Sequence, residues 1–226
     1  CRKIAFKPDT GFWLNGKNVR LVGAARHQDR AGIGNALTTA EHEEDMQILR
    51  DMGVNTVRLA HYQHAQYFYD LCDKYGLVAW AEIPYITEHL PEANANALSQ
   101  MEELVTQNYN HPSIICWGLS NEITVTTGVN DDMVATHHAL NDLCHRLDAT
   151  RPTTMAHAFM LDPNDPFVQL PDICSYNLYY GWYLGELQQN DEFFDTFHKN
   201  HPDRVIGLSE FGADANPAYQ SARPER

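Results

Sequence analysis

Residues 55–84 read NTVRLAHYQHAQYFYDLCDKYGLVAWAEIP. Asn55 to His61 is a short apolar run with strand character. Ala65 to about Lys74 is helical and closes on Gly76, a residue suited to the left-handed end of a helix. Leu77 to Ile83 is a second strand, stopped by Pro84. Strand, helix, strand is the unit of a parallel sheet, because parallel neighbours need a long crossover connection. The alternation continues outward on both sides. Upstream, Val19 to Ala25 is apolar and runs into Arg26-His27, and a helix follows from Thr39 to Met52. Thr39 is the expected N-cap, with Glu41, Glu43 and Glu44 where the helix dipole favours negative charge. Downstream come a helix over 98–109, a strand over 113–119 ending in Ser120-Asn121-Glu122, and a helix over 133–148. Strands over 153–158 and 172–176, a helix over 185–199 and a strand over 205–208 complete the series, the last running into Ser209-Glu210-Phe211-Gly212. Residues 15–18, 123–131 and 163–171 are expected to be loops.

Strands that are apolar without clean alternation are buried on both faces. Seven such units with no glycine-rich phosphate loop predict a TIM (β/α)8 barrel rather than a doubly wound sheet. We therefore expect one α/β domain over 1–226, with residues 1–17 as its lead-in. After Glu210 only sixteen residues remain, and 213–226 is polar and turn-like. The barrel is expected to be truncated before its eighth strand, with open edges beside the first and seventh strands. The chain opens on Cys1-Arg2-Lys3, neither a start methionine nor a signal peptide, and this too predicts a piece of a longer protein. Its compartment is not fixed by the sequence, the cytoplasm being the working assumption.

Composition narrows the function. The 226 residues are 43% hydrophobic and 20% charged, ordinary for a globular domain. Sixteen Lys and Arg against thirty Asp and Glu give a net charge of -14. That field repels phosphate backbones and anionic lipid, so neither nucleic acid nor a membrane is expected as a partner. No apolar run approaches the roughly 18 residues of a spanning helix. The five cysteines include no CxxC pair, and Cys72, Cys116 and Cys174 sit in apolar runs as small buried hydrophobes.

In such a barrel the active site is built from polar residues at the C-terminal ends of the strands. Strand one delivers His27 and Asp29, strand two Arg58 and His61, strand three Glu82, and strand four Asn121 and Glu122. The sixth delivers Asn177, Tyr179 and Tyr180 with Trp182 close behind, and the seventh Glu210. Two carboxyls from well-separated strands, amid Asn, His, Tyr and Trp, suit glycoside hydrolysis. One acid protonates the leaving oxygen, and the second supplies a nucleophile or a stabilised water. Asn121 can hydrogen-bond a sugar hydroxyl, and Trp182 can stack on a pyranose. Solvated loop acids would read the same way, so placement at strand ends is what carries the assignment. Trp80 and Trp117 lie inside apolar strands and are expected in the core.

Several segments resemble the signatures of glycoside hydrolase family 2. Asn55-Thr56-Val57-Arg58-Leu59-Ala60-His61-Tyr62, followed by Phe68-Tyr69-Asp70-Leu71-Cys72-Asp73, is similar to the first. Asn110-His111-Pro112-Ser113 through Trp117-Gly118-Leu119-Ser120-Asn121-Glu122 is similar to the second. Gly11-Phe12-Trp13-Leu14-Asn15-Gly16-Lys17 resembles the approach to the family's barrel, and Ser209-Glu210-Phe211-Gly212-Ala213 its nucleophile segment. Leu59 and Gln63 depart from the pattern, where a small residue and a proline are usual. The resemblance implies a retaining mechanism with Glu122 as acid/base and Glu210 as nucleophile. It also implies that His27, Arg58, His61, Asn121 and Tyr179 line the site, with Arg58 and Tyr179 beside Glu210; Asp29, Asn177 and Trp182 are further substrate-binding candidates.

Some large members bind magnesium beside the acid/base. Glu88-His89 is nearby, but alignment from Glu82 puts Ile86 where the metal carboxylate would be, so no metal or other cofactor is expected. Glu82 is then expected to be a structural acid within the barrel mouth. The resemblance also implies a carbohydrate substrate and contacts with β-sandwich domains of a longer chain, and a homo-oligomer is compatible with it. For the sugar, β-galactosidase is placed ahead of β-glucuronidase, although Asn177-Leu178-Tyr179-Tyr180-Gly181-Trp182-Tyr183 is similar to a glucuronidase stretch. Glucuronidases use an Asn-x-Lys element beyond the nucleophile, and Asn15-Gly16-Lys17 lies in the wrong place for it. The third alternative is a catalytically incompetent barrel piece that only binds carbohydrate or assembles. The isolated piece is expected to turn over aryl β-galactosides poorly.

Overall fold

A computed structural model of the chain describes residues 2–213. Of the turn-like reading of 213–226, all but Ala213 lies outside these residues, as does Cys1. The chain begins with a small antiparallel sheet of β1 (Ile4–Lys7), β2 (Gly11–Leu14) and β3 (Lys17–Asn18). The expected loop over 15–18 is therefore half strand. Trp13 faces Asn18 and Leu14 faces Lys17 across a two-residue Asn15-Gly16 turn, both residues having positive φ, 51° and 79°. Asn-Gly is the preferred pair for such a hairpin turn, because its twist matches the strands. Phe12 on β2 packs with Val78, Ile115 and Cys116, so this sheet covers the N-terminal end of the main one.

The main sheet has seven parallel strands lying side by side in chain order. They are β4 (Gly23–Arg26), β5 (Thr56–Leu59), β6 (Val78–Glu82), β7 (Ile114–Asn121), β8 (Thr153–Ala158), β9 (Ile173–Asn177) and β10 (Val205–Glu210). Crossover helices are α1 (Thr39–Asp51), α2 (Gln66–Tyr75), α3 (Asn94–Asn108), α4 (Asp131–Leu147) and α5 (Gln189–Asn200). This is the predicted α/β barrel architecture. Every residue of β7, β8 and β9 is buried, whereas β4 and β10, at the two edges, are half-exposed. Among the described residues no strand pairs with either outer edge.

Several boundaries differ from the sequence reading for local reasons. The first strand starts at Gly23 rather than Val19, because the Asn55 side chain bonds Val22 N–H and Arg20 C=O in place of a ladder. Gly23 then passes so near Thr56 that a Cβ would lie 2.7 Å from its carbonyl oxygen. Thr38, not Thr39, caps α1, in a reciprocal capping box with Glu41. A 3-10 turn over Pro91–Ala93 starts α3 at Asn94 instead of 98. α5 starts at Gln189 rather than 185, Gly185 being a turn residue of positive φ.

Period-two alternation sorts the strand residues between two faces. Val57, Leu59, Ala79, Ala81, Trp117 and Leu119 join the core with Met46, Phe68, Met101, Leu104 and Leu140 of the helices. Arg58, Trp80 and Glu82 point to the opposite, inner face. The Arg58 guanidinium lies 5.0 Å from the Trp80 ring centroid.

Among the histidines buried in this packing, three are strongly shifted. His64 donates to Ala60 C=O and accepts from Arg26, His137 bridges Met133 C=O and Ser120 Oγ, and His157 lies against Phe167 and Tyr176. Burial pushes them from an ordinary value near 6.5 down to about 3, about 4 and about 3 respectively. The unfolded chain therefore binds protons that the folded chain refuses. Stability from these groups is complete above pH 6.5 and declines as pH falls toward the depressed values. At pH 5 each is expected to cost about 2 kcal/mol. Urea unfolding at pH 7 and pH 5 measures this, with His157→Phe expected to reduce the drop. Equal midpoints at the two pH values would contradict it.

Candidate active site

The C-terminal ends of β5, β6, β7 and β10 meet at one guanidinium. Arg58 Nε and Nη2 donate to the two oxygens of Glu82, each at 2.9 Å. Nη1 donates to Glu210 Oε1 at 2.7 Å, and Nη2 also donates to Asn121 Oδ1 at 2.8 Å. A planar fork can address several acceptors at fixed angles, which a lysine cannot do. Glu82 is 1% exposed. Burial works to raise its pKa, but Arg58 and His61 outweigh this and hold the carboxyl below the usual carboxylate range. Burial likewise works against the Arg58 cation, and Glu82 and then Glu210 reverse it, so the guanidinium is raised. There is room for this pair only because residue 118 is glycine: a Cβ there would lie 2.5 Å from Glu82 Cβ and from Trp80 Nε1.

Glu210 is held from the other side by Tyr179, whose hydroxyl donates to Oε2 at 2.5 Å. Burial, that hydrogen bond, and the charges of Glu210 and Glu122 all raise the Tyr179 phenol. Both acids thus act on one phenol at one mouth. Glu122 follows β7 directly, and its N–H donates to Ala156 C=O at 2.7 Å. Among the described residues its carboxyl makes no ion pair, so the two acids have different surroundings. His61 Nδ1–H donates to Glu82 Oε1 at 2.8 Å, and Nε2 lies 3.7 Å from Glu210 Oε1. Asn177 donates to Asn121 Oδ1 at 3.2 Å and accepts from Ser209 Oγ at 2.7 Å.

The other candidates lie further out. His27 is exposed, its ring edge-on to His61 at 5.1 Å. Partial burial and His61 lower it, with Asp29 and Glu210 opposing. Asp29 is exposed and makes no hydrogen bond among the described residues. Trp182 is not in the polar cluster: it is buried against Tyr183, which in turn packs on Tyr179. Trp117 is core as expected, and Trp80 lies under Arg58. Asn15-Gly16-Lys17 lies at the end of the sheet opposite the acids. Glu82, which the sequence places at a strand end, emerges as the anchor of the whole cluster.

Among the described residues one grouping could hold a metal ion by its residue types: Asp70, Asp73 and His111. It lies before β7, at the far end from Glu122. His111 already bonds Asp73 and Gln66, and Asp73 receives Ser113 N–H. Beside the acids, His89 is bonded to Tyr85 and Asp132. No helix among the described residues is long and apolar enough to cross a membrane.

A family model described as "Glycosyl hydrolases family 2, TIM barrel domain" matches residues 6–222. The chain belongs to glycosyl hydrolase family 2. A β-glucuronidase of Bacteroides fragilis is 45% identical over 94% of this chain and 31% of its own length. A β-galactosidase of Thermoanaerobacterium thermosulfurigenes is 36% identical over 67% of this chain and 20% of its own. Among solved structures, an FMN-binding β-glucuronidase from Faecalibacterium prausnitzii L2-6 superposes with a TM-score of 0.94 at 45% identity. That match covers 99% of this chain and 35% of the other. The family 2 chain thus spans between a fifth and about a third of the length of these relatives. The order of preference from sequence, galactosidase before glucuronidase, is reversed by these names.

Proposed function

We propose that this family 2 barrel is the catalytic part of a retaining β-glucuronidase, with Glu210 as nucleophile and Glu122 as acid/base. The supporting observation is the grip on Glu210. Arg58 and Tyr179 each direct a donor at one of its oxygens, and a carboxylate accepts both at once. In the first step a Glu210 oxygen bonds to the anomeric carbon, the glycosidic C–O bond breaks, and the Glu122 carboxyl gives its proton to the departing oxygen. In the second, Glu122 takes a proton from water, the water oxygen bonds to the anomeric carbon, and Glu210 leaves. Asn121, fixed by Arg58 and Asn177, is the group to bind the hydroxyl beside the reacting carbon. The residues in hand supply this chemistry without a cofactor.

The choice of sugar rests on the relatives' names. The test is a matched pair of aryl substrates, a β-D-glucuronide and a β-D-galactoside, on the protein at its full natural length. The glucuronide is expected to be preferred by at least about a hundredfold in kcat/KM, since a site built for a polar group rejects its absence strongly. A galactoside preference would restore the galactosidase reading. Inertness toward both would favour a non-catalytic barrel.

A further inference from the structure

Glu122 leaves β7 with φ of 46°, a left-handed conformation uncommon for any residue but glycine. Thr87 has φ of 66°, which is rarer still for a β-branched side chain. The two lie on either side of one backbone tie. Thr87 N–H donates to Asn121 C=O at 3.0 Å, and Asn121 N–H donates to Tyr85 C=O at 2.9 Å, so 85–87 runs as a short extra rung along the end of β7. Thr126 Oγ1 closes over it onto Thr87 C=O at 3.1 Å. A left-handed glutamate persists only where its surroundings over-determine it.

What fixes 85–87 is a side-chain chain, buried at Tyr85 and His89 and ending on the exposed Asp132, that the proposed reaction does not use. His89 Nε2–H donates to Asp132 Oδ2 at 2.7 Å. Its Nδ1 is then the acceptor, and the Tyr85 hydroxyl donates to it. Tyr85 and His89 are both buried, at 8% and 4% exposure. Asp132 sits in the first turn of α4 and is steadied by Asn94 Nδ2 at 3.0 Å. The Tyr85 ring also stacks on His137 at 5.2 Å and 19°, and His137 bonds Ser120, two residues before Glu122. Helix α4 therefore grips both the rung and the strand end that carries the acid.

We infer that Tyr85, His89 and Asp132 are positioning residues for Glu122: their hydrogen-bonded chain holds 85–87 against Asn121 and so sets the direction in which the Glu122 carboxyl leaves β7. This rests on Glu122 being the proton donor. In kcat/KM, which reports events up to formation of the glycosyl ester, a misdirected donor harms only substrates whose leaving oxygen needs its proton. A general structural defect harms all substrates alike.

The experiment compares kcat/KM for phenyl β-D-glucuronide, a poor leaving group, and 2,4-dinitrophenyl β-D-glucuronide, which leaves without a proton. It uses the protein at its full natural length, with Tyr85→Phe, His89→Phe and, as control, Glu122→Gln. Glu122→Gln is expected to lower the phenyl substrate by about a hundredfold or more and to leave the dinitrophenyl substrate within a few-fold. Tyr85→Phe and His89→Phe are expected to show the same split at about tenfold. If the control splits the substrates but both clamp variants lower them equally, or neither, the inference is overturned and the acid assignment stands. If the control itself shows no split, the assignment of Glu122 fails and takes the inference with it. Tyr85→Phe removes a single hydroxyl, and it decides the matter if His89→Phe does not fold.

Discussion

Arg58→Met is expected to cost the fold about 3–5 kcal/mol, the range for breaking a buried ion pair by removing one partner. The side chain of Arg58 is 5% exposed and that of Glu82 1%. Methionine fills much of the volume but leaves the Glu82 carboxylate with His61 as its remaining side-chain partner. Glu82→Gln alone removes the charge that accepts two of the guanidinium's hydrogen bonds and leaves Arg58 with Glu210 as its ion-pair partner. The double variant Arg58→Met/Glu82→Gln removes both charges and is expected to recover at least about 2 kcal/mol relative to the sum of the singles. Activity should not return with stability, because Glu210 and Asn121 still lack the Arg58 donor and keep only Tyr179 and Asn177. Urea unfolding of the four proteins, alongside kcat/KM, separates the two effects. Additive stability losses would mean that the pair is not coupled as its geometry indicates.

Glu210→Gln is expected to lower kcat by at least about a thousandfold, since the amide cannot form the glycosyl ester. Glu210→Ala opens the face that the nucleophile occupies. Azide added to it should attack the anomeric carbon from that face and, with a 2,4-dinitrophenyl substrate, yield the inverted α-glycosyl azide. Glu122→Ala with azide should yield the β-azide instead, because there the glycosyl ester forms first and is displaced. A β-azide from Glu210→Ala, or a loss of less than tenfold in Glu210→Gln, would exchange or cancel the assigned roles.

Much of this was legible before any coordinates. Parallel strands deliver their C-terminal residues to one face, so Arg58, Asn121, Asn177 and Glu210 could be gathered from positions alone, and Tyr179 lies just beyond the sixth strand of the series. Glu82 was visible at its strand end and was read as a structural acid of the barrel mouth, but its full burial under Arg58 was not legible. Full burial of a carboxylate depends on Gly118 leaving space beside it and on Arg58 reaching across from β5, and neither is local in sequence. The orientation of Trp182 was not legible, because an aromatic near a strand end can turn either way, and here it packs against Tyr183. The Asn15-Gly16 turn carried a clear hairpin signal, masked by the shortness of its flanking strands. The clamp on Glu122 was hidden most completely. Its members, Tyr85, His89 and Asp132, come from a loop and a helix start whose approach is set only by the packing of α4.

The central claim is that Glu210 is the carboxylate that bonds to the sugar, across one gap from Glu122. Cyclophellitol-6-carboxylate aziridine carries a strained ring where a glucuronide has its anomeric carbon, and attack by a carboxylate opens that ring to leave a covalent ester. Incubating the full-length protein with this reagent and mapping the adduct by peptide mass spectrometry tests the claim directly. One equivalent of label on Glu210, absent from Glu210→Gln, is the predicted result. Label on Glu122 or elsewhere, or undiminished labelling of Glu210→Gln, would contradict it.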